Sequence, residues 1–156
     1  MATVRETTAS CDEVWSVLSD GWNYATWVVG ASRIRAVDPA WPSEGSKIHH
    51  SVGVWPAVLS DYTRSLGGHD GRELELEARA MPFGKAHITL RLTPLATGCR
   101  IEMIEDALTA PFNLIPDSVQ HVLVHPRNTE ALRRLALLAE RSVSPGCSTR
   151  LEHLGS

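Results

Sequence analysis

The chain has 156 residues, a formal net charge of −3 and a hydrophobic fraction of 43%. A chain of this length forms one compact domain and buries enough surface to need no metal or disulfide. Its charges are scattered, so it offers no basic surface for nucleic acid and no polybasic patch for anionic lipid. The first residues are polar and no apolar run reaches the length of a membrane span, which predicts neither a secretory signal nor membrane insertion.

The three cysteines, Cys11, Cys99 and Cys147, are odd in number and widely spaced. None has the Cys-x-x-Cys spacing of a metal or redox site. The pattern therefore predicts free thiols in a reducing compartment, and a cytoplasmic protein.

The N-terminal residues predict a strand followed by short helices. Residues 3–9 alternate between polar and apolar, as a strand does. Ser10 with Glu13 three residues later forms a capping box at the start of a helix. A second short helix or turn follows, with an aromatic cluster of Trp22, Tyr24 and Trp27.

The middle of the chain alternates almost continuously, with glycine- and proline-containing turns between the segments. Such alternation predicts strands with one buried and one wet face. The predicted strands cover residues 32–37, 47–55, 57–66, 73–80, 85–95 and 100–108.

The final third changes to helical spacing. Pro126 predicts a kink or a new helix start, because proline lacks the backbone donor that a helix interior needs. Asn128 or Thr129 is then the candidate cap of a long C-terminal helix. Its apolar stripe consists of Leu132, Leu135, Leu138 and Ala139.

This element order predicts an α+β fold. Consecutive strands joined by short turns make an antiparallel sheet that buries one face. The C-terminal helix is the one element long enough to cover that face. We therefore expect a curved antiparallel sheet of about seven strands wrapped around the long C-terminal helix, with two short helices after the first strand.

Three stretches resemble the START/polyketide-cyclase superfamily, also called SRPBCC, helix-grip or birch-pollen-allergen-like proteins. They are the region that begins VRETTASCDEVWSVLSDG, the strand CRIEMIEDALTAP and the helix HPRNTEALRRLALLAE. The chain is most similar to small actinobacterial members labelled polyketide cyclase/dehydrase-like. The resemblance implies one domain over residues 1–142, a C-terminal tail over residues 143–156 that is expected to be flexible, and an apolar cavity between sheet and helix.

His49 and His50 are adjacent on a predicted strand, so their side chains point to opposite faces. His50 shares the apolar face and is the inward residue. Two registers are possible for the next strand, and the resemblance favours the one that places Asp61 inward beside His50. His50 is then either a histidine packed at the cavity edge or an acid–base group that Asp61 orients.

Glu105 is the third polar candidate, because alternation places it inward with Ile101 and Met103. It is either a partner for an arginine or a ligand contact. Asp117, His121 and His125 recur every four residues, a spacing that can bind zinc on a helix. Because the neighbouring apolar residues occupy another face, this trio is interpreted as solvated, and the sequence predicts no metal site and no cofactor.

Two main functions follow. The first is binding of a small hydrophobic molecule (aromatic, polyketide-like or lipid-like) by a monomer or homodimer. The second is a cyclase, aromatase or dehydratase that uses His50, Asp61 and Glu105 for acid–base catalysis. A third is a partner-binding domain with a filled cavity. The candidate ligand-binding residues are Trp27, Val52, Trp55, Leu76, Ile88, Leu90, Ile101, Met103, Leu132 and Leu135.

Overall fold

The computed structural model describes residues 2–54, 56–80, 84–110 and 112–142. The predicted tail over residues 143–156 lies outside the described residues. The strands are β1 Ala2–Thr7, β2 Ala31–Val37, β3 Lys47–Val54, β4 Ala57–His69, β5 Glu73–Ala80, β6 Gly84–Leu95 and β7 Gly98–Ala107. The α-helices are α1 Cys11–Ser19, α2 Tyr24–Trp27 and α3 Asp117–Ser142, with short 3₁₀ helices at Gly21–Asn23 and Phe112–Leu114.

The seven strands form one antiparallel sheet in the order β1-β7-β6-β5-β4-β3-β2. Helix α3 packs against β1, α1 and α2. The predicted α+β helix-grip architecture is confirmed. No helix in the described part of the chain is both long and apolar enough to cross a membrane.

The capping box at the start of α1 is confirmed. The Ser10 hydroxyl accepts a hydrogen bond from the Glu13 amide at 3.2 Å, and the Glu13 carboxylate accepts one from the Ser10 amide at 2.7 Å. These bonds satisfy amides that have no partner within the helix. The helix then buries Val14, Val17 and Leu18 against the core.

Helix α3 is longer than the sequence predicts, because it continues through Pro126. The expectation of a new start with a cap at Asn128 or Thr129 was wrong. Val124 and Asn128, which lie four residues apart on either side of the proline, are both buried. Packing on both sides outweighs the one backbone hydrogen bond that proline removes.

Strand β4 adopts the inward register that places Asp61, Thr63 and Ser65 in the interior, where each is at most 4% exposed. By strand alternation Leu59 belongs to the same face as these residues, but it is 47% exposed. Pairing of β4 with β5 begins only at Thr63 opposite Ala78. Among the described residues, the first half of β4 therefore pairs with β3 alone, and Leu59 lies outside the core.

Cys11 and Cys99 form a disulfide, with their Cα atoms 5.1 Å apart. The expectation that both are free thiols was wrong. The cysteines are 88 residues apart in sequence, and only the fold brings the start of α1 next to β7. Spacing carried no signal for this pair.

We expect the Cys11→Ser/Cys99→Ala variant to lose about 4 kcal/mol of unfolding free energy, because the bond closes a long loop in the unfolded chain. Urea denaturation measures this loss. Alkylation in denaturant without reductant should label one of the three cysteines. Labelling of all three would show that the disulfide does not form.

We expect Leu135→Ala to cost about 3 kcal/mol of unfolding free energy, because it leaves a void under α3. Leu135 is fully buried, whereas Leu137 on the same helix is 37% exposed. Leu137→Ala is the matched control and should cost less than about 1 kcal/mol. Equal losses in urea denaturation would mean that α3 does not seat on the sheet as described.

Candidate functional site

A cavity of about 90 Å³ lies between the inner face of the sheet, α2 and α3. Its wall is mostly apolar, with a few polar and charged side chains. The lining residues are Tyr24, Trp27, Val28, Val29, Gly30, Ala31, His50, Val52, Thr63, Leu76, Ala78, Arg79, Ile88, Met103, Arg127, Asn128 and Ala131. Apolar walls with a few convergent polar groups are typical of small-molecule sites.

A chain of three buried polar side chains enters this cavity from α2, β4 and β3. Tyr24 Oη lies 2.7 Å from Thr63 Oγ1, which lies 3.0 Å from His50 Nε2. The Tyr24 and His50 rings also stack, with centroids 5.3 Å apart. Burial raises the pKa of Tyr24 to about 12, so its hydroxyl stays protonated at neutral pH.

His50 is 3% exposed, and burial lowers its pKa from the ordinary value of 6.5. The nearby Asp61 carboxylate raises the pKa, but by less than burial lowers it. The ring is therefore neutral at pH 7. Its Nδ1 atom is buried and has no hydrogen-bond partner within the described residues.

The tautomer of His50 follows from counting protons along the chain. When Tyr24 donates to Thr63 and Thr63 donates to His50 Nε2, both hydroxyl protons are used. The proton of the neutral ring is then on Nδ1. The opposite direction would leave two groups unpaired among the described residues, the Tyr24 hydroxyl proton and the Nδ1 lone pair, whereas the first direction leaves only the Nδ1 proton unpaired.

Asp61 lies directly opposite His50 on the neighbouring strand. It is 4% exposed, and its Oδ1 accepts a hydrogen bond from the Tyr62 amide at 2.8 Å. Arg79 Nε lies 4.0 Å from the same oxygen. The His50 ring bonds Thr63, so Asp61 acts on it through charge.

Glu105 is 8% exposed and faces α3. Both of its carboxylate oxygens accept from Arg127 Nη2, and Oε2 also accepts from Asn128 Nδ2 at 2.8 Å. Arg127 and Asn128 line the cavity, whereas the Glu105 carboxylate lies behind them.

The structure brings some of the predicted site residues to the cavity and leaves others in the core behind it. Trp27, Val52, Leu76, Ile88 and Met103 line the cavity together with His50. Trp55 lies outside the described residues. Four predicted residues are completely buried in the core but are not among the lining residues, namely Leu90, Ile101, Leu132 and Leu135.

Sequence reasoning missed Tyr24, Thr63, Arg79 and Arg127 as polar lining residues. Arg79 sits at an outward position in the strand alternation, and Arg127 follows the proline that suggested a break. Thr63 was visible as an inward residue of β4, but its place between Tyr24 and His50 depends on three separate elements. Only the folded structure shows that Tyr24, Thr63 and His50 are connected by hydrogen bonds.

The described residues contain no group of three or more His, Cys, Asp or Glu side chains placed to hold a metal. The rings of His121 and His125 stack with centroids 4.8 Å apart. His125 Nδ1 also lies 3.5 Å from Thr3 Oγ1. This interaction connects α3 to β1.

The chain resembles several solved structures, although a search of curated proteins finds no match. A protein from Rhodobacter sphaeroides superposes with a TM-score of 0.71 and 18% identity, over 92% of this chain and 93% of that one. Ara h 8.0201 superposes with a TM-score of 0.68 and 10% identity, over 90% of this chain and 97% of that one. The di-domain aromatase/cyclase StfQ from the steffimycin biosynthetic pathway superposes with a TM-score of 0.71 and 9% identity, over 91% of this chain and 50% of that one. At these identities, the likeness shows the fold alone.

The family model for polyketide cyclase/dehydrase and lipid transport proteins matches residues 1–140. This match covers nearly the whole described chain, including the cavity and both ends of the sheet. It agrees with the superfamily resemblance in the sequence. The chain therefore belongs to the polyketide cyclase/dehydrase and lipid transport family.

Proposed function

We propose that the protein binds a small hydrophobic molecule in the cavity between the sheet, α2 and α3. The observation that carries this proposal is a mostly apolar cavity with a neutral histidine in its wall. Family membership supports it, because the family includes lipid transport proteins.

The size of the cavity limits the ligand. Sites for drug-sized ligands enclose about 300–1,000 Å³, whereas this cavity has about 90 Å³. A ligand of a few heavy atoms fits without rearrangement. A larger lipid or polyketide requires the wall to move outward. The candidate moving part is residues 57–62 of β4, which pair with β3 alone within the described part of the chain.

A second candidate function is acid–base catalysis on a poly-carbonyl substrate, as a cyclase or dehydratase. The chain of Tyr24, Thr63 and His50 favours it, because it sets the tautomer of a neutral imidazole beside an apolar cavity. Asp61 and Glu105 each have an arginine neighbour, which leaves His50 as the leading candidate acid, because its Nδ1 carries the ring proton and its Nε2 accepts from Thr63. An enzyme would convert its ligand, and would lose turnover but not affinity when His50 is replaced.

The cellular location and assembly state stay predictions. The sequence predicted a cytoplasmic protein, but the Cys11–Cys99 disulfide favours an oxidising compartment. The expected monomer or homodimer, and the expected lack of nucleic-acid binding, are proposals of the same kind.

We expect Ala131→Leu to abolish binding of small hydrophobic probes, because the added methyl groups enter the cavity that Ala131 lines. Isothermal titration with a panel of short aromatic and aliphatic molecules measures this. Ala40→Leu, at an exposed turn position, is the matched control and should bind like the wild type. Equal affinities in both variants would place the ligand elsewhere.

We expect the protein to lose stability as the pH falls through 6.5, the ordinary pKa of histidine. The folded protein holds His50 neutral to a lower pH, so below that value the unfolded chain binds more protons and is favoured. Proton–nitrogen correlation spectra should show His50 still neutral, with its proton on Nδ1, below pH 6.5. The His50→Asn variant should lack this part of the pH dependence, and a His50 ring already charged at pH 7 would contradict the assignment.

A further inference from the structure

We propose that the hydrophobic ligand of this cavity carries a carboxylate, which the guanidinium groups of Arg79 and Arg127 bind. This inference rests on the proposed binding function and names the chemical class of the ligand. It comes from the charges and unused hydrogen-bond donors at the cavity wall.

Arg79 has donors to spare. It lines the cavity, and its side chain is 39% exposed. Its Nε lies 4.0 Å from Asp61 Oδ1, too far for a hydrogen bond, and its guanidinium lies 5.7 Å from the centre of the Tyr62 ring. Within the described residues, the guanidinium makes no hydrogen bond, so its planar set of N–H groups is available.

Arg127 is held in place on one side. Its Nη2 donates to Glu105, and its Nε and Nη2 lie 3.3 Å from Asn128 Oδ1. Nη1 has no partner among the described residues, and the side chain is 39% exposed. The buried Glu105 thus orients a guanidinium whose remaining edge is free at the cavity wall.

The acceptors near these two arginines already have donors. Glu105 accepts from Arg127 and Asn128, and the Asn128 side-chain oxygen accepts from Arg127. The Thr63 hydroxyl oxygen accepts from Tyr24 when both hydroxyl protons of the Tyr24–Thr63–His50 series are used in hydrogen bonds. The wall therefore has donors left for a ligand, and the matching ligand group is an oxygen acceptor.

A carboxylate fits these donors better than a neutral carbonyl. Guanidinium groups bind carboxylates through two parallel hydrogen bonds, and such charge-assisted bonds are about twice as strong as neutral ones. The apolar wall formed by Leu76, Ile88 and Met103 then holds the uncharged part of the molecule.

The test compares butyrate and isovalerate, which are small enough for the cavity, with their amides and alcohols by isothermal titration at neutral pH. We expect each carboxylate to bind at least about tenfold more tightly than its amide, equivalent to about 1.4 kcal/mol. Arg79→Gln should reduce this preference, because it should weaken carboxylate binding more than amide binding. Arg91→Gln, at an exposed arginine paired with Glu73, is the matched control and should keep the preference.

Arg127 needs a paired test, because Arg127→Gln leaves Glu105 buried without its cation. The Glu105→Gln/Arg127→Gln double variant avoids that charge and should also lose the preference. Equal binding of carboxylate and amide by the wild type would overturn the carboxylate assignment and leave the binding function intact. If none of the probes binds, both proposals fail.

Discussion

A single long helix has to cover the inner face of seven strands, and the rest of the interior depends on this constraint. Leu132 and Leu135 of α3 are fully buried in the core. At the turn that carries Arg127 and Ala131, the helix does not fill the space up to β5 and β7, and a cavity remains. The packing that stabilises the domain and the space for a ligand are therefore two parts of the same helix–sheet contact.

Polar side chains inside such a cavity are costly unless they have partners, so their arrangement is informative. Two buried side-chain polar atoms lack hydrogen-bond partners in the described part of the chain, Arg5 Nε and His50 Nδ1. Of these, only His50 belongs to a lining residue. The Nδ1–H group of the neutral His50 ring and the free N–H groups of Arg79 and Arg127 are hydrogen-bond donors at the cavity wall. The cost of leaving buried donors unpaired therefore favours a ligand that carries acceptor oxygens.

The fold was predictable because periodicity reports which face of an element is buried, and the strands and α1 follow it closely. The inward positions of His50 and Glu105 came from the same alternation, whereas alternation left two registers open for Asp61 and the family resemblance favoured the inward one. Pairings between distant residues were not predictable: Cys11 meets Cys99, and Glu105 meets Arg127, only after folding. The predicted new helix start after Pro126 was wrong for a related reason: packing against distant residues keeps α3 continuous there, and the local sequence does not show that packing.

The central claim is that the cavity holds a small hydrophobic molecule. Native mass spectrometry of the purified protein, followed by denaturing extraction, tests it directly. We expect a co-purified small molecule in a one-to-one complex with the protein, released on denaturation and absent from the Ala131→Leu variant. A mass equal to the bare chain, with no complex after incubation with hydrophobic carboxylates, would contradict the claim.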